Sequence, residues 1–361
     1  MLEFEIIQNA NPMAEADRAL AFQNLGFGTL FSDHMAVIHW SADKEWHSAQ
    51  VTARAPFALD PASSVLHYAQ EIFEGMKAYR AADGKVVLFR PDQNAKRFNA
   101  SARRLAMPEL PEEDFLAAIE KLVAVDRKWV PEGNGGSLYL RPFMFANESF
   151  LGVRPSKEYI FCVIASPVGP YFKGGAKPVK IWVSEDYTRA AVGGTGAAKC
   201  GGNYAASLIA QAEAGKHGCD QVLFLDAAER KWIEELGGMN IFFVFNDGSM
   251  VTPPLGTILP GITRNSVLTL AKDNNIAVEE RPYAFDELQA DAASGRLVEA
   301  FACGTAAVIA GIGELKHRNG SLTIGTGETG AVTTLLRNKL VGIQTQALAD
   351  SHGWLHTIPV S

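Results

Sequence analysis

The order of strand-like and helix-like segments is the feature that most constrains this fold. Short apolar runs typical of strands alternate irregularly with amphipathic stretches, and some strand candidates follow one another directly. A doubly wound parallel sheet requires regular strand–helix–strand alternation. The order therefore predicts an α/β chain, close to α+β, with mixed or antiparallel sheets and flanking helices.

Local patterns place several elements. Residues 76–80 and 85–90 are predicted to form a hairpin around the turn Ala81-Ala82-Asp83-Gly84. Pro91 suits the first turn of a helix, because its fixed φ matches helical geometry. Apolar residues at helical spacing predict a second helix from Phe115 to Trp129. Further strands are predicted at 137–145, 158–165, 179–184, 221–226, 239–245 and 249–252, and a further helix at 203–214.

Residues 169–178 form the best candidate domain boundary. They read GPYFKGGAKP, and glycine and proline interrupt regular structure. With 361 residues, the chain is long enough for at least two domains. We predict a small N-terminal α/β domain over 1–170, an interdomain loop over 171–178 and a large C-terminal domain over 179–361.

Composition excludes several classes of protein. With 47% hydrophobic residues the chain can bury a large core, which argues against disorder. A formal charge of −7 argues against nucleic-acid or acidic-membrane partners. The four cysteines and eight histidines show no zinc-like spacing, so no metal is expected. The opening residues lack a secretory pattern, and we expect a cytoplasmic protein.

The segment 193–204, GGTGAAKCGGNY, places five glycines around Lys199. Glycine is used where backbone bends sharply or approaches a ligand closely. The lysine could bind phosphate or form a Schiff base, and a surface loop with a solvated lysine is an equally good interpretation. A Walker loop is excluded because G-K-[ST] is absent.

Two other segments precede helix-like stretches. In LPGITR (259–264), Thr263 is predicted to cap a helix whose first N–H groups would suit an anion, although a capped helix without a ligand is commoner. GTGETG (325–330) matches the dinucleotide pattern, with Asp350 twenty residues on. We reject the nucleotide interpretation, because Asp350 ends the following helix and only eleven residues remain. A turn into the C-terminal helix is predicted.

Charged residues beside strands give two further candidates. Glu234 and Glu235 precede an apolar strand and are expected to lie on a solvated face, unless one of them faces a pocket and binds a cation or a protonated ring nitrogen. Tyr139 and Arg141 are two residues apart in a strand and therefore share one face, which either meets solvent or lines a pocket.

Taken together, these segments resemble one family, the branched-chain amino acid aminotransferases. The resemblance extends over nearly the whole chain, and its motifs occur in the family's order: FGTLFSDHM (27–35), FEGMKAYR (73–80), SLYLRPF (137–143), SPVGPYF (166–172), GGTGAAKCGGNY, EELGGMN (234–240), LPGITR and CGTA (303–306). It implies the type IV pyridoxal-phosphate fold, a homodimer with a shared active site, and a cofactor-binding C-terminal domain.

The resemblance also implies residue roles. Lys199 corresponds to the Schiff-base lysine, Arg97 to the phosphate-binding arginine, Tyr204 to the tyrosine that bonds the cofactor's phenolic oxygen, and Glu235 to the acid beneath the pyridine nitrogen. Further phosphate contacts are implied for Ile262, Thr263 and Thr305. Substrate contacts are implied for Phe27, Tyr68, Phe73, Tyr139 and Tyr171, and Leu151 and Val153 match a segment that reaches in from the partner subunit.

Two departures from the family are visible. Gly238 stands where some relatives have threonine, which removes a hydroxyl contact. Ala307 and Ala310 stand where some relatives carry a redox C-x-x-C, so no thiol switch is expected there.

The implied reaction moves an amino group from leucine, isoleucine or valine to a 2-oxo acid, with 2-oxoglutarate as the expected acceptor. We hypothesise that Arg141 pairs with the distal carboxylate of glutamate, and that N–H groups near Thr305 and Ala306 bind the α-carboxylate. Alternatives are a D-amino acid aminotransferase or a lyase of the same fold, a nucleotide-dependent oxidoreductase using GTGETG, and a non-catalytic binding protein.

Overall fold

The computed structural model describes residues 1–133, 135–169 and 177–359. The chain folds into two compact units. The first comprises Met1–Tyr171, Ala198–Gly201 and Ile343–Ser361, and the second comprises Phe172–Ala197 and Gly202–Gly342.

The first unit is built on a nine-stranded sheet. Its strands are β1 (Glu5–Ile6), β2 (His34–Ser41), β3 (Glu45–Ala53), β4 (Glu71–Phe73), β5 (Met76–Arg80), β6 (Val86–Phe89), β7 (Ser137–Ala146), β8 (Glu158–Val168) and β18 (Leu355–Thr357). Their order across the sheet is β1-β3-β2-β8-β7-β5-β6-β18, and β4 also pairs with β7. All pairings are antiparallel except β1 with β3.

Helices pack against both faces of this sheet: Val65 of the second helix packs against the cluster that contains Val37 and Phe145, whereas the third and fourth helices pack on the other face. The helices are α1 (Glu15–Phe22), α2 (Ser64–Tyr68), α3 (Pro91–Arg104) and α4 (Glu112–Val125), with a 3-10 turn at Arg127–Trp129. Phe98 of α3 and Phe115 of α4 pack with Phe161 of β8 in the core. Leu138 and Leu140 of β7 belong to the same core. Because strand side chains alternate, the intervening residues of β7 point to the opposite face.

The second unit contains a mixed nine-stranded sheet. Its strands are β9 (Val179–Ser184), β10 (Gln221–Leu225), β11 (Ile233–Leu236), β12 (Asn240–Phe245), β13 (Met250–Thr252), β14 (Val278–Glu280), β15 (Leu297–Gly304), β16 (Val308–His317) and β17 (Gly320–Thr323). Their order across the sheet is β11-β10-β9-β16-β15-β12-β13-β14, and β17 pairs with β16. The remaining helices are α5 (Gly201–Lys216), α6 (Ile262–Asp273), α7 (Phe285–Ala293) and α8 (Ala331–Gln344).

The predicted mixed and antiparallel architecture is confirmed. The hairpin forms between β5 and β6, and Pro91 lies in the first turn of α3. Within the described residues, no helix is both long and apolar enough to cross a bilayer.

The units differ from the predicted domains in two places. The segment Ala198–Gly201 and the C-terminal residues from Ile343 belong to the first unit, which makes it the larger one. The C-terminal strand returns there because β18 pairs with β6, a long-range pairing that local sequence cannot reveal. Most of the predicted loop 171–178 lies outside the described residues.

Candidate functional site

Lys199 is held by backbone contacts in the first unit. Its N–H donates to Ser101 Oγ at 2.9 Å, and its carbonyl accepts the N–H of Phe73 at 3.0 Å. The side chain is half-buried, with Nζ 4.9 Å from the centre of the Phe73 ring. The lysine is therefore partly shielded from solvent.

Tyr139 and Arg141 lie beside this lysine on one face of β7. Arg141 Nη2 donates to the Tyr139 hydroxyl at 3.1 Å, and the guanidinium carbon lies 4.8 Å from the Phe73 ring centre. Phe27 packs edge-on against Tyr139 with ring centres 5.0 Å apart. The structure thus brings together the amine of Lys199, three aromatic rings and one guanidinium.

Gly75 makes room for the Tyr139 hydroxyl. A Cβ atom at residue 75 would collide with that oxygen. The glycine of the FEGMKAYR motif therefore allows the phenol to lie directly against the backbone of the neighbouring chain segment.

Arg97 makes a buried bidentate ion pair that the sequence did not reveal. Its Nε and Nη2 donate to Glu74 at 2.7 and 2.8 Å, and Asn94 donates to the same carboxylate at 2.7 Å. Burial raises the pKa of Glu74, but Arg97, with smaller contributions from Lys199 and Asn94, brings it below its ordinary value. Glu74 therefore stays anionic and fixes the orientation of Arg97.

Lys77 is a second lysine on this face that sequence reasoning missed. It lies on β5, opposite Tyr139 on the neighbouring strand β7, and it is buried. Burial lowers the pKa of its amine to about 8. The alternation of side chains in β5 could have revealed its orientation, but not its burial.

The other predicted substrate residues of this unit are Tyr68, Leu151, Val153 and Tyr171. The Tyr68 hydroxyl donates to the carbonyl of Leu151. Leu151 and Val153 are 62% and 87% exposed. Tyr171 lies outside the described residues.

In the second unit, Glu235 lies on β11 and is buried. Its carboxylate accepts the N–H of Leu259 and an N–H of Asn240, each at 2.9 Å. Glu234 is buried as well, and its carboxylate accepts the hydroxyl of Thr257. The expectation that both acids lie on a solvated face is therefore wrong.

Arg189 is another residue that sequence reasoning missed. Its Nη1 lies 3.0 Å from Glu235 Oε1 and also donates to the carbonyls of Gly196 and Thr257 at 3.2 and 3.3 Å. A Cβ at Gly196 would collide with the Thr257 carbonyl. No motif surrounds Arg189, so only the folded chain shows that it joins Glu235 to the glycine-rich segment.

The remaining candidates of this unit surround the connection between β11 and β12. A Cβ built at Gly238 would lie 4.0 Å from Tyr204. Thr305 and Ala306 form the turn between β15 and β16, and a Cβ at the preceding Gly304 would lie 3.1 Å from Met239. This connection therefore lies beside both the predicted tyrosine and the predicted N–H groups.

The helix α6 begins at Ile262, and its N-cap is Gly261. Thr263 lies inside the first turn and is buried, so the prediction that it caps the helix is wrong. Gly261 has no side chain to occupy the first N–H groups, and its backbone lies so close to Asn240 that a Cβ would collide with the Asn240 amide oxygen. This helix start remains suited to an anion.

The GTGETG segment leads into the C-terminal helix α8, as predicted. The N–H groups of Val332 and Thr333 donate to the Glu299 carboxylate at 3.0 and 2.9 Å. A carboxylate therefore occupies the position where a dinucleotide phosphate would bind, which supports the rejection of the nucleotide interpretation.

Comparisons with known proteins give a consistent result. The profile of the class IV amino-transferase family matches residues 71–315. The branched-chain-amino-acid aminotransferase of Mycolicibacterium smegmatis is 56% identical over 359 residues, 98% of each chain. The enzyme of the same name from Mycobacterium tuberculosis H37Rv is 54% identical over 360 residues, again 98% of each.

Solved structures agree with these relatives. The T.th. branched-chain amino acid aminotransferase with pyridoxamine 5'-phosphate has a TM-score of 0.74 and 29% identity, covering 90% of this chain and 99% of the other. The Escherichia coli enzyme has a TM-score of 0.72 and 28% identity, with the same coverage. This chain therefore belongs to the class IV aminotransferases, pyridoxal-phosphate enzymes of fold type IV, and within them to the branched-chain amino acid aminotransferases.

Proposed function

We propose that this enzyme transfers an amino group reversibly between L-leucine, L-isoleucine or L-valine and 2-oxoglutarate, with Lys199 as the Schiff-base lysine of pyridoxal 5'-phosphate. The observation that carries the proposal is the position of the Lys199 amine, which is half-buried beside Phe73, Tyr139 and Arg141. This arrangement offers a nucleophile, an apolar surface and a cation to one substrate.

The chemistry of the side chains fits this cofactor. The proposal assigns Lys199 to the aldehyde, Tyr204 to the phenolic oxygen and Glu235 to the ring nitrogen. The start of α6 at Ile262 and Thr263, together with Arg97 and Thr305, is assigned to the phosphate. When bound, the cofactor supplies an electron sink for the carbanion at the substrate's Cα.

Lys199 has a second role in the proposal, because its Nζ is the base that takes the proton from the substrate's Cα. Ser101 and Phe73 fix the backbone on both sides of that residue and so limit the positions available to Nζ. A base must lie within hydrogen-bonding reach of the proton it removes, and this restriction favours the transfer.

Glu235 holds the proton on the ring nitrogen in the proposed arrangement. Leu259 and Asn240 donate to its carboxylate, and Arg189 pairs with it, so the oxygens have a defined orientation. A carboxylate fixed in this way stabilises a cationic partner without reorganising during the reaction.

Substrate recognition must accept both an apolar and an acidic side chain. Phe27, Phe73 and Tyr139 offer the apolar surface, and Arg141 offers a charge for the distal carboxylate of glutamate or 2-oxoglutarate. The Nε of Arg141 is buried and has no hydrogen-bond partner among the described residues, which favours an acceptor supplied by a ligand. The N–H groups near Thr305 and Ala306 are proposed for the α-carboxylate.

The proposal includes a homodimer in which Leu151 and Val153 reach the partner's active site. Both side chains are apolar and largely exposed in the single chain. Exposed apolar side chains of this kind are common in subunit interfaces. Light scattering of the purified enzyme should give twice the mass of the chain, and a monomeric active enzyme would contradict this part.

A panel of amino donors and oxo acceptors tests the reaction. We expect rapid transfer from L-leucine, L-isoleucine and L-valine to 2-oxoglutarate and none from D-leucine. The purified protein should absorb visible light, and borohydride should abolish the band and the activity together. A colourless protein that does not take up pyridoxal phosphate would contradict the proposal.

Replacing Arg141 tests its assignment separately. Arg141→Gln should raise KM for 2-oxoglutarate by roughly tenfold or more, since it removes a charge-assisted contact, and should change KM for branched 2-oxo acids much less. Equal changes for both acceptors would reject the assignment.

A further inference from the structure

Glu71 is an acidic residue next to the lysine segment to which neither the motifs nor the proposed mechanism assigns a role. It lies on β4, two residues before Phe73, and its carboxylate accepts the N–H of Gly201. Gly201 comes two residues after Lys199. The strand β4 therefore contacts this segment at two points. The Phe73 N–H donates to the Lys199 carbonyl, and the Glu71 carboxylate accepts the Gly201 N–H.

The glycine at position 201 is required for this contact. A Cβ at that position would collide with a carboxylate oxygen of Glu71. The carboxylate thus lies directly against the backbone of the lysine segment.

Glu71 also lies on the same face of the sheet as Arg141. Residues 71 and 73 pair with Phe145 and Phe143 of β7, and side chains two residues apart share a face, so residue 141 shares it too. Burial raises the pKa of Glu71 above its ordinary value, and the Gly201 N–H and the charge of Arg141 only partly offset this. The carboxylate is therefore close enough to the guanidinium for the two charges to interact.

We propose that Glu71 is a positioning residue with two tasks: it holds the segment that carries Lys199, and its charge weakens the attraction of Arg141 for the distal carboxylate of acidic substrates. The second task rests on the proposed function of Arg141. A carboxylate near a guanidinium weakens its attraction for a second carboxylate, and an apolar side chain can then compete for the same surface. Glu71 would thus help one site to accept two kinds of substrate.

Glu71→Gln separates the two tasks, because the amide oxygen can still accept the Gly201 N–H while the charge is lost. We expect KM for 2-oxoglutarate to fall by about threefold, with kcat and KM for leucine nearly unchanged. In the Arg141→Gln background the same substitution should leave KM for 2-oxoglutarate unchanged. Glu113→Gln, a carboxylate on α4 away from this face, is the matched control and should have no effect.

Glu71→Ala removes both the charge and the contact with Gly201. It should lower kcat for all substrates by about tenfold, because the lysine segment loses one of its contacts. If this variant does not fold, Glu71→Gln still decides the second task, the effect of the Glu71 charge on Arg141.

The outcomes distinguish the role of Glu71 from the role of Arg141. An unchanged or raised KM for 2-oxoglutarate in Glu71→Gln, while Arg141→Gln raises it, would overturn the role of Glu71 alone. An Arg141→Gln enzyme with unaltered acceptor preference would instead overturn the proposed function of Arg141. A kcat in folded Glu71→Ala equal to that of the wild type would overturn the positioning role.

Discussion

Two glycine-rich segments of this chain, 193–202 and 325–330, are similar in sequence and differ in structure. The first carries Lys199, whose backbone is bonded to Ser101 and Phe73 and whose amine lies over an aromatic ring. The second precedes α8, where the carboxylate of Glu299 accepts the N–H groups at the helix start. The first segment presents a reactive amine, whereas the N–H groups that follow the second segment already bind a neighbouring carboxylate.

This difference shows what a glycine-rich pattern means. Glycines mark places where the backbone turns sharply or approaches another atom closely. They do not determine which atom comes close. In the first segment the close neighbours include the Thr257 carbonyl at Gly196 and the Glu71 carboxylate at Gly201, and in the second the Glu299 carboxylate meets Gly330.

The largest expected effect is that of removing the amine in the first segment. Lys199→Ala should lower the rate of transamination by at least about 10³-fold, because the proposed nucleophile and base are lost together. Thermal unfolding should be nearly unchanged, and Lys121→Ala, an exposed lysine on α4, is the control. Turnover within tenfold of the wild type would show that the first segment is not catalytic.

A smaller effect is expected for the backbone of the first segment. Gly196→Ala should lower the free energy of unfolding by about 2–3 kcal/mol, since the added methyl group would collide with the Thr257 carbonyl and with Ala190. Gly202→Ala is the matched control, because its methyl group would meet open space, and it should leave stability unchanged or raise it by up to about 1 kcal/mol. Urea denaturation measures both, and equal stabilities would contradict the close approach at Gly196.

The smallest effect is expected in the second segment. Glu299→Gln should lower the free energy of unfolding by about 1–2 kcal/mol, because a charge-assisted contact at a helix start becomes a neutral one. Its kcat should not change. Glu328→Gln, a carboxylate in the same segment, is the control for stability. A loss of activity in Glu299→Gln would contradict the conclusion that only the first segment is catalytic.

Local patterns predicted much of the fold, including the β5–β6 hairpin, the helix at Pro91 and the absence of a doubly wound sheet among the described residues. They also predicted that Tyr139 and Arg141 share a face. Predictions that depended on distant contacts were less successful. Thr263 is not a cap, because the helix already begins at Ile262. Glu234 and Glu235 are buried because the loop before α6 folds back onto β11, where Thr257 donates to Glu234 and Leu259 donates to Glu235.

The amino-acid sequence by itself determined the alternation of strands and helices, the glycines that allow close backbone approach, and the ordered motifs that mark the family, because all of these depend on neighbouring residues or on residue identity. Only the tertiary structure decided that Glu74 pairs with Arg97, that Arg189 pairs with Glu235 and that Glu71 holds Gly201. Each of these contacts joins residues separated by more than twenty positions in the chain, and their approach depends on how the sheets and loops pack around them.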